Sequence, residues 1–207
     1  MTTKVIGRAA VLIAMLAVIM PGRASASQAP DALVKQTANE VIKALEDNDR
    51  KLEQNPDEVF ALVDRIVLPH FDFERMSQLV LGQQWRKASQ AQREAFVEEF
   101  RRLLVNTYAT ALLDYEGQEL RFKPYRESGG GEAKVRTEVV PDQGPPIPID
   151  YALHRTEGGD WKVYDISVDG ISLVTNYRAS YQRMAKSDGL DALIDKIAAR
   201  NSSKASD

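Results

Sequence analysis

Hydrophobic positions in the first part of the chain recur at helical spacing. Between residues 31 and 55 they repeat every four residues, with charged side chains between them, which predicts an amphipathic helix. The repeating positions are Leu33, Thr37, Val41 and Leu45. A second helix is expected to begin at Asn55-Pro56, because asparagine caps helices and proline suits their first turn, and to end at Pro69.

Two further helices are predicted before residue 113. Asp72 can cap a short helix that Gly82 closes. Ser89 and Gln92 fit a capping box, and the helix that they open carries a wide apolar face as far as residue 112.

The pattern then changes to period two, which is typical of half-buried strands. Four strands are expected, at residues 119–127, 134–141, 147–156 and 160–168, with glycine turns at 129–131 and 158–159. Helical spacing returns after Gly170, and Gly189 separates a last helix from it. Residues 201–207 are expected to form a disordered tail. Helices, an antiparallel four-stranded meander and helices again indicate an α+β fold.

The first 26 residues have the pattern of a secretory signal peptide. Lys4 and Arg8 precede an apolar run at residues 9–20, and Ala24-Ser25-Ala26 forms a cleavage site. The apolar run is shorter than the about 20 residues that a membrane-spanning helix needs. We therefore expect residues 1–26 to be removed, and residues 27–207 to form a single soluble domain in the periplasm.

Charge and cysteine content exclude several classes of function. The net charge of the chain is −3, and removing the basic signal peptide makes the remainder more acidic. An acidic chain is a poor nucleic-acid ligand, because such binding requires basic side chains that neutralise phosphates. The absence of cysteine excludes disulfides, thiolate metal sites, cysteine catalysis and lipid attachment at an N-terminal cysteine.

The Gly170-Ile171-Ser172 stretch follows a strand and precedes a helix, which is the outline of a serine hydrolase nucleophile elbow. The pattern is incomplete, because Val174 stands where that motif has glycine and no histidine follows Ser172. We therefore interpret Ser172 as the N-cap of the next helix.

The remaining candidate groups do not indicate catalysis or metal binding. His70 and His154 are far apart in sequence and have no HExxH spacing, so we expect ordinary loop or surface roles for them. The glycines at 129–131 lack a following helix and indicate a turn rather than a phosphate cradle. No catalytic residue, metal site or cofactor is therefore expected.

Three segments together resemble the toluene-tolerance or MlaC family of periplasmic phospholipid-binding proteins. They are LPHFDFERMSQLVLGQQWRKASQAQREAFVEEFRRLL, YDISVDGISLVTNYRASY and GLDALIDKI. The resemblance implies an NTF2-like fold with an apolar pocket between the sheet and the helices, occupied by phospholipid acyl chains. It implies partners as well: an inner-membrane ABC transporter with an MCE-domain subunit, and an outer-membrane lipoprotein–porin complex. Lipid carried between them would maintain outer-membrane lipid asymmetry, without catalysis.

Eight residues are the expected lipid contacts. The resemblance places Tyr108, Leu112 and Ile147 in the pocket lining. The apolar pattern of the same helix and strands adds Leu104, Ile149, Tyr151, Ile166 and Val168. Core packing is the competing interpretation for each of them. Two other functions stay open: an enzyme of the same fold that acts on a small hydrophobic substrate, and a periplasmic adaptor with a filled core.

Overall fold

The computed structural model of the chain describes residues 28–54, 57–125 and 129–204. The predicted signal peptide lies outside the described residues, and so does the predicted cap at Asn55-Pro56. None of the described helices combines the length and hydropathy that a membrane-crossing helix needs.

The described helices follow the predicted order. They are α1 (Pro30–Gln54), α2 (Asp57–Ile66), α3 (Phe73–Leu81), α4 (Gln83–Lys87), α5 (Gln90–Tyr108), α6 (Leu173–Ser187) and α7 (Leu190–Lys204). The cap of α3 is confirmed, because the Asp72 carboxylate accepts a hydrogen bond from the backbone N–H of Arg75 at 2.8 Å. The capping box at Ser89 and Gln92 is confirmed as well.

Two helical details differ from the sequence prediction. The α-helix that opens at Ser89 ends at Tyr108, and a 3₁₀ helix continues it at Ala109–Asp114, where a single helix to residue 112 was expected. A short extra helix, α4, follows Gly82 directly. Gly82 has φ +56° and ψ −115°, and a Cβ there would lie 2.6 Å from the Gln182 amide nitrogen, so this sharp junction requires glycine.

The sheet contains one strand more than predicted. It is an antiparallel meander in sequence order, β1 (Glu119–Phe122), β2 (Glu132–Val140), β3 (Ile147–Arg155), β4 (Trp161–Val168) and β5 (Ile171–Ser172). Asp169 and Gly170, with φ +50° and +79°, form a tight turn between β4 and β5. The chain therefore pairs with β4 for two residues before α6 begins, where the sequence pattern predicted a direct passage into the helix. The α+β class is confirmed.

The buried apolar residues form three separate clusters, although a single domain usually has one contiguous core. The helical cluster joins α3, α4, α5, α6 and α7 around Phe96 and Phe100. The sheet cluster packs the start of α1 against β2, β3 and β4. The α1–α2 cluster joins the rest of α1 to α2 and the 3₁₀ helix. Among the partly buried side chains, Phe71 packs against both the helical and the sheet cluster.

The predicted disordered tail begins too early. Helix α7 continues through Lys204, and Asn201 is buried. The Asn201 amide donates to the backbone oxygen of Glu99 at 3.0 Å and to its carboxylate at 2.7 Å. The Asn201 side chain is enclosed between the two helices, where a polar group needs hydrogen-bond partners. The two bonds therefore connect α7 to α5. Residues 205–207 lie outside the described residues.

Candidate functional site

One side of the sheet is almost entirely apolar, and we call it the apolar face. Cross-strand partners share a side of a sheet, so the register assigns its members. They are Leu120 and Phe122 of β1, Ala133, Val135, Thr137 and Val139 of β2, Ile147, Ile149, Tyr151, Leu153 and Arg155 of β3, and Trp161, Val163, Ile166 and Val168 of β4. Arg155, the charged member, lies at the far end from Ile147, over the Trp161 ring. These positions include no carboxylate and no histidine.

The apolar face is covered at one end and open at the other. At the covered end, Leu33 and Val34 of α1 pack on Val135, Leu153 and Val163, which are all buried. At the other end, Ile147 is 41% exposed and Val168 is 40% exposed. A β-bulge between Ala152 and Leu153 separates these two regions of β3 and β4.

Two further exposed residues lie at the open end. Ile171 of β5 pairs with Val168 and is 63% exposed. Tyr108 is 39% exposed. Tyr108 is the last residue of α5. Helix α5 runs alongside α6, where the Phe100 ring contacts the Tyr177 ring. The hydrogen bond between Tyr108 and Tyr177 therefore places Tyr108 near the start of α6. We call Tyr108, Ile147, Val168 and Ile171 the mouth.

The structure brings together five of the eight predicted lining residues. Ile147, Ile149, Tyr151, Ile166 and Val168 lie on the apolar face in paired register. Ile149, Tyr151 and Ile166 are partly buried, between the covered end and the mouth. An uncovered apolar surface of this kind suits an apolar ligand.

The three predicted helical residues lie in different surroundings. Tyr108 belongs to the mouth. Leu112 is partly buried against the α1–α2 cluster. Leu104 is 7% exposed and belongs to the helical cluster, so its contacts are those of a core residue. Whether any of the eight contacts a lipid stays a prediction.

The apolar face carries two hydroxyl groups, which are paired with each other. Thr137 donates to the backbone oxygen of Ile149 at 3.2 Å, and the Tyr151 hydroxyl also bonds to Thr137. Burial raises the pKa of Tyr151 above its usual value. The phenol therefore stays neutral, and this pairing keeps polar groups on the face satisfied.

Tyr108 of the mouth stands together with two tyrosines of α6. The rings of Tyr177 and Tyr181 are 5.2 Å apart, and Tyr177 bonds to Tyr108. Burial is the main reason that the pKa values of Tyr108 and Tyr181 are raised to about 12, and the neighbouring Tyr177 raises both further. Arg200 opposes the shift. The phenols of Tyr108 and Tyr181 therefore stay neutral at ordinary pH.

Two open clefts lie elsewhere and are lined mainly by ionisable and amide side chains. One, of about 490 Å³, lies between α1 and α2 and is lined by ionisable residues that include Glu40, Arg65 and His70. The other, of about 630 Å³, lies beside Asp72 and His154. Neither contains a predicted lining residue.

Ser172 has the role predicted for it. Its hydroxyl accepts from the backbone N–H of Thr175 at 3.0 Å and donates to the Asp165 carboxylate at 2.6 Å. The same carboxylate accepts from the backbone N–H of Val174 at 3.1 Å. Both side chains therefore cap α6, and the hydroxyl is committed to that structure.

Each histidine has neighbours that are typical of a structural role. His154 Nε2 lies 2.7 Å from the Asp72 carboxylate, so the ring N–H can donate to it. Burial lowers the pKa of His70, and nearby Lys162 lowers it further. Within the described ranges, no group of acidic and histidine side chains has the arrangement of a metal site.

Sequence reasoning missed Ile171. The sequence did contain a signal for Ile171. Apolar residues alternate along β4 at Ile166 and Val168, and the Asp169-Gly170 turn brings Ile171 back beside Val168. The β2 and β1 members of the apolar face were missed as well. They follow from pairing register, which a single strand does not reveal.

Comparison with known proteins identifies the family. The family model described as MlaC protein matches residues 35–199, which include the whole apolar face and the mouth. The chain belongs to the MlaC family. Two relatives match this MlaC-family chain over most of its length. Toluene tolerance protein ttg2D of Pseudomonas putida is 31% identical over 173 residues, covering 82% of this chain and 80% of that protein.

The second relative is the intermembrane phospholipid transport system binding protein MlaC of Haemophilus influenzae. It is 27% identical over 186 residues, covering 88% of this chain and 87% of that protein. Among solved structures, the phospholipid-binding protein from Ralstonia solanacearum, in complex with a phospholipid, matches with a TM-score of 0.76 and 30% identity. The match covers 84% of this MlaC-family chain and 98% of the Ralstonia chain.

Proposed function

We propose that this protein is a periplasmic phospholipid carrier. The acyl chains lie on the apolar face, and the headgroup remains at the mouth. The observation that carries the proposal is an apolar face left open at one end, in a chain of the MlaC family. The Ralstonia structure supports it, because that related protein is in complex with a phospholipid.

The energetic need for such a carrier is large. Each methylene removed from water contributes about 0.8 kcal/mol. Exposing two chains of roughly fifteen methylenes each would therefore cost on the order of 20 kcal/mol. A phospholipid cannot cross an aqueous compartment freely at a useful rate, so its chains need an apolar protein surface during transit.

The proposed route joins the two membranes. The N-terminal sequence supports export to the periplasm, and the name of the Haemophilus relative supports intermembrane transport. The partners would be an inner-membrane ABC transporter with an MCE-domain subunit and an outer-membrane lipoprotein–porin complex. Transfer between them would maintain outer-membrane lipid asymmetry.

We infer a binding role without catalysis. An enzyme acting on a hydrophobic substrate would need an acid, a base or a nucleophile directed at that substrate. The assigned positions of the apolar face contain no carboxylate and no histidine. Its hydroxyls, on Thr137 and Tyr151, are bonded to each other.

Lipid analysis of the purified protein tests the proposal. The protein, expressed with its own N-terminal sequence and purified from the periplasm, should retain phospholipid that native mass spectrometry detects as added mass. Chain counting after solvent extraction should identify the number of acyl chains. Protein that is folded and carries no lipid, both as purified and after incubation with phospholipid vesicles, would contradict the proposal and favour an adaptor with a filled core.

A matched pair of variants locates the binding surface. Ile147 and Pro148 are neighbours in β3, both are exposed, and they face opposite sides of the sheet. Ile147→Asp should reduce the lipid load severalfold, because a charge opposes acyl chains on the apolar face, whereas Pro148→Asp should retain it. Leu112→Asp should act like Ile147→Asp. Equal lipid loads in all three folded variants would show that the surface is misplaced.

A further inference from the structure

The exposed apolar side chains of the described residues are concentrated at one place. The large hydrophobic residues with high exposure are Tyr108, Ile147, Val168 and Ile171, which together are the mouth. A lipid headgroup covers little apolar surface. Ile171, at 63% exposed on a tight turn, therefore presents apolar surface outward, where a second surface could cover it.

The same end of the molecule is acidic. The segments that meet there are residues 114–120, 140–150 and 165–172. They contain no lysine or arginine, although Arg121 pairs with Glu119, Lys134 pairs with Asp150, and Arg200 lies near Tyr108. They contain Glu116, Asp142 and Asp169, which are exposed and form no ion pair within the described part of the chain. Asp169 directly follows Val168 at the end of β4, and Asp142 lies in the loop that joins β2 to Ile147 at the start of β3.

The acids within the strands have partners, which are cations for most of them and the start of α6 for Asp165. On the opposite side of the sheet, Glu138 pairs with Lys123 at 2.6 Å, Asp150 with Lys134 at 2.6 Å and Glu132 with Arg75 at 2.7 Å. The unpaired acids are therefore a local property of the mouth rather than of the whole sheet. They surround an apolar centre with negative charge.

We propose that the mouth docks onto a partner protein whose own lipid opening is apolar at its centre and ringed by lysine and arginine. This inference rests on the proposed carrier function and names the chemistry of the partner. Apolar contact at the centre lets acyl chains pass between the proteins without entering water. The opposed charges fix the orientation and accelerate encounter.

The charge also disfavours direct docking on a lipid bilayer. Bacterial leaflets that contain anionic lipids have a negative surface potential, which repels an acidic rim within a Debye length. A basic protein rim attracts it. A protein opening is therefore the occupant that the charges favour, and a bare membrane is the alternative that the experiment separates from it.

Binding of the lipid-loaded carrier to the two proposed membrane complexes, each purified in nanodiscs, tests this proposal. The variant Glu116→Gln/Asp142→Asn/Asp169→Asn removes the charges with little change of shape, and asparagine tolerates the positive φ of residue 169. At 50 mM NaCl, its association rate with at least one complex should fall about tenfold or more. At 300 mM NaCl, the difference should largely disappear.

The control variant carries the same charge change at the other end of α5. Glu94→Gln/Asp188→Asn/Asp195→Asn lies near the starts of α5 and α7 and should bind like the unmodified protein. Ile171→Ser should also weaken docking, but without the salt dependence. Lipid content is measured first for every variant. It should be unchanged in the two charge variants, whose residues lie outside the apolar face, and docking of Ile171→Ser is compared at equal lipid load, so loss of docking is distinguishable from failure of the carrier function.

Two results would overturn the proposal. One is unchanged association of the charge-neutralised mouth variant with both complexes at low salt. The other is equally fast lipid delivery by the unmodified carrier to bare vesicles of phosphatidylethanolamine and phosphatidylglycerol, which would make the membrane itself the docking surface.

Discussion

At the scale of single residues, a few polar side chains determine how the last strand passes into α6. Ser172 and Asp165 each accept a hydrogen bond from a free N–H at the start of α6, and they bond to each other at 2.6 Å. The Gly-x-Ser outline that suggests a nucleophile is thus a helix-capping arrangement. A catalytic serine would need its hydroxyl free to attack, and this one is already engaged.

Ser172→Ala should destabilise the protein by about 1 kcal/mol, because one N-terminal N–H loses its acceptor. Urea unfolding should show this as a lower midpoint with an unchanged slope. The lipid load should be unaffected. Ser180→Ala, the same substitution inside α6, is the control: Ser180 bonds only to the Tyr177 backbone oxygen, so its loss should change little. A folded Ser172→Ala protein without lipid would contradict the capping role.

The tyrosines beside the mouth predict a loss of stability in alkaline solution. The pKa of Tyr181 is raised to about 12, chiefly by burial, whereas an unfolded tyrosine has a pKa of about 10. The unfolded state therefore releases its proton first. The contribution of Tyr181 is present below about pH 10 and is lost as the pH rises toward about 12.

Denaturant unfolding at pH 8 and pH 11 measures this effect. Tyr181→Phe removes the titrating hydroxyl and keeps the ring that packs against Phe96 and Phe100. Its stability should fall less between the two pH values than that of the unmodified protein. An identical fall in both proteins would mean that Tyr181 titrates normally.

At the scale of elements, Asp72 joins α3 to the sheet. One oxygen of its carboxylate caps α3, and the other lies 2.7 Å from His154 of β3. The backbone N–H of Asp72 also donates to the Val163 oxygen of β4 at 2.9 Å. The start of α3 is therefore held against the sheet by a backbone contact with β4 and a side-chain contact with β3.

Asp72→Ala should cost about 2 kcal/mol, because it removes a helix cap and leaves the largely buried His154 without its acceptor. Asp72→Asn should cost less, since asparagine is also a good N-cap. The free energy of unfolding in urea measures both changes. Equal losses in the two variants would indicate that the charge on Asp72, rather than the cap, carries the stabilisation.

At the scale of the whole molecule, the arrangement of the core clusters separates residues that stabilise the fold from residues that are available for binding. Leu104 is buried inside the helical cluster, whereas Ile147 is exposed at the mouth. The sequence assigns both to lipid contact, but the structure places them in different surroundings. Buried side chains support the fold, while exposed apolar ones are available to a ligand.

Leu104→Ala should destabilise the protein by about 2–5 kcal/mol through the cavity that it leaves. Ile147→Ala should change the unfolding free energy by less than about 1 kcal/mol and should weaken lipid retention instead. Thermal unfolding and bound-lipid mass of both variants give the comparison. Reversed outcomes, with lipid loss confined to the Leu104 variant, would place the site within the helical cluster.

The sequence by itself determined the family and the fold class. Strong local signals, such as the capping box at Ser89 and the turn glycines, determined where most elements begin. Three of the four predicted strands lie within two residues of their observed ends, because period-two alternation is a local property. The first begins where predicted but ends at Phe122, before the predicted end at residue 127. The resemblance carried by residues 68–104, 164–181 and 189–197 was confirmed by the family match.

Only the tertiary structure decided which apolar residues share a surface and which remain uncovered. Pairing register assembled the apolar face from four strands, and the Asp169-Gly170 turn added Ile171 to the mouth. Asn201, in a polar stretch that suggested disorder, is buried by packing of α7 on α5. Periodicity reports which side of an element is apolar. Burial and exposure depend on what the rest of the chain places against that side, which is a non-local property.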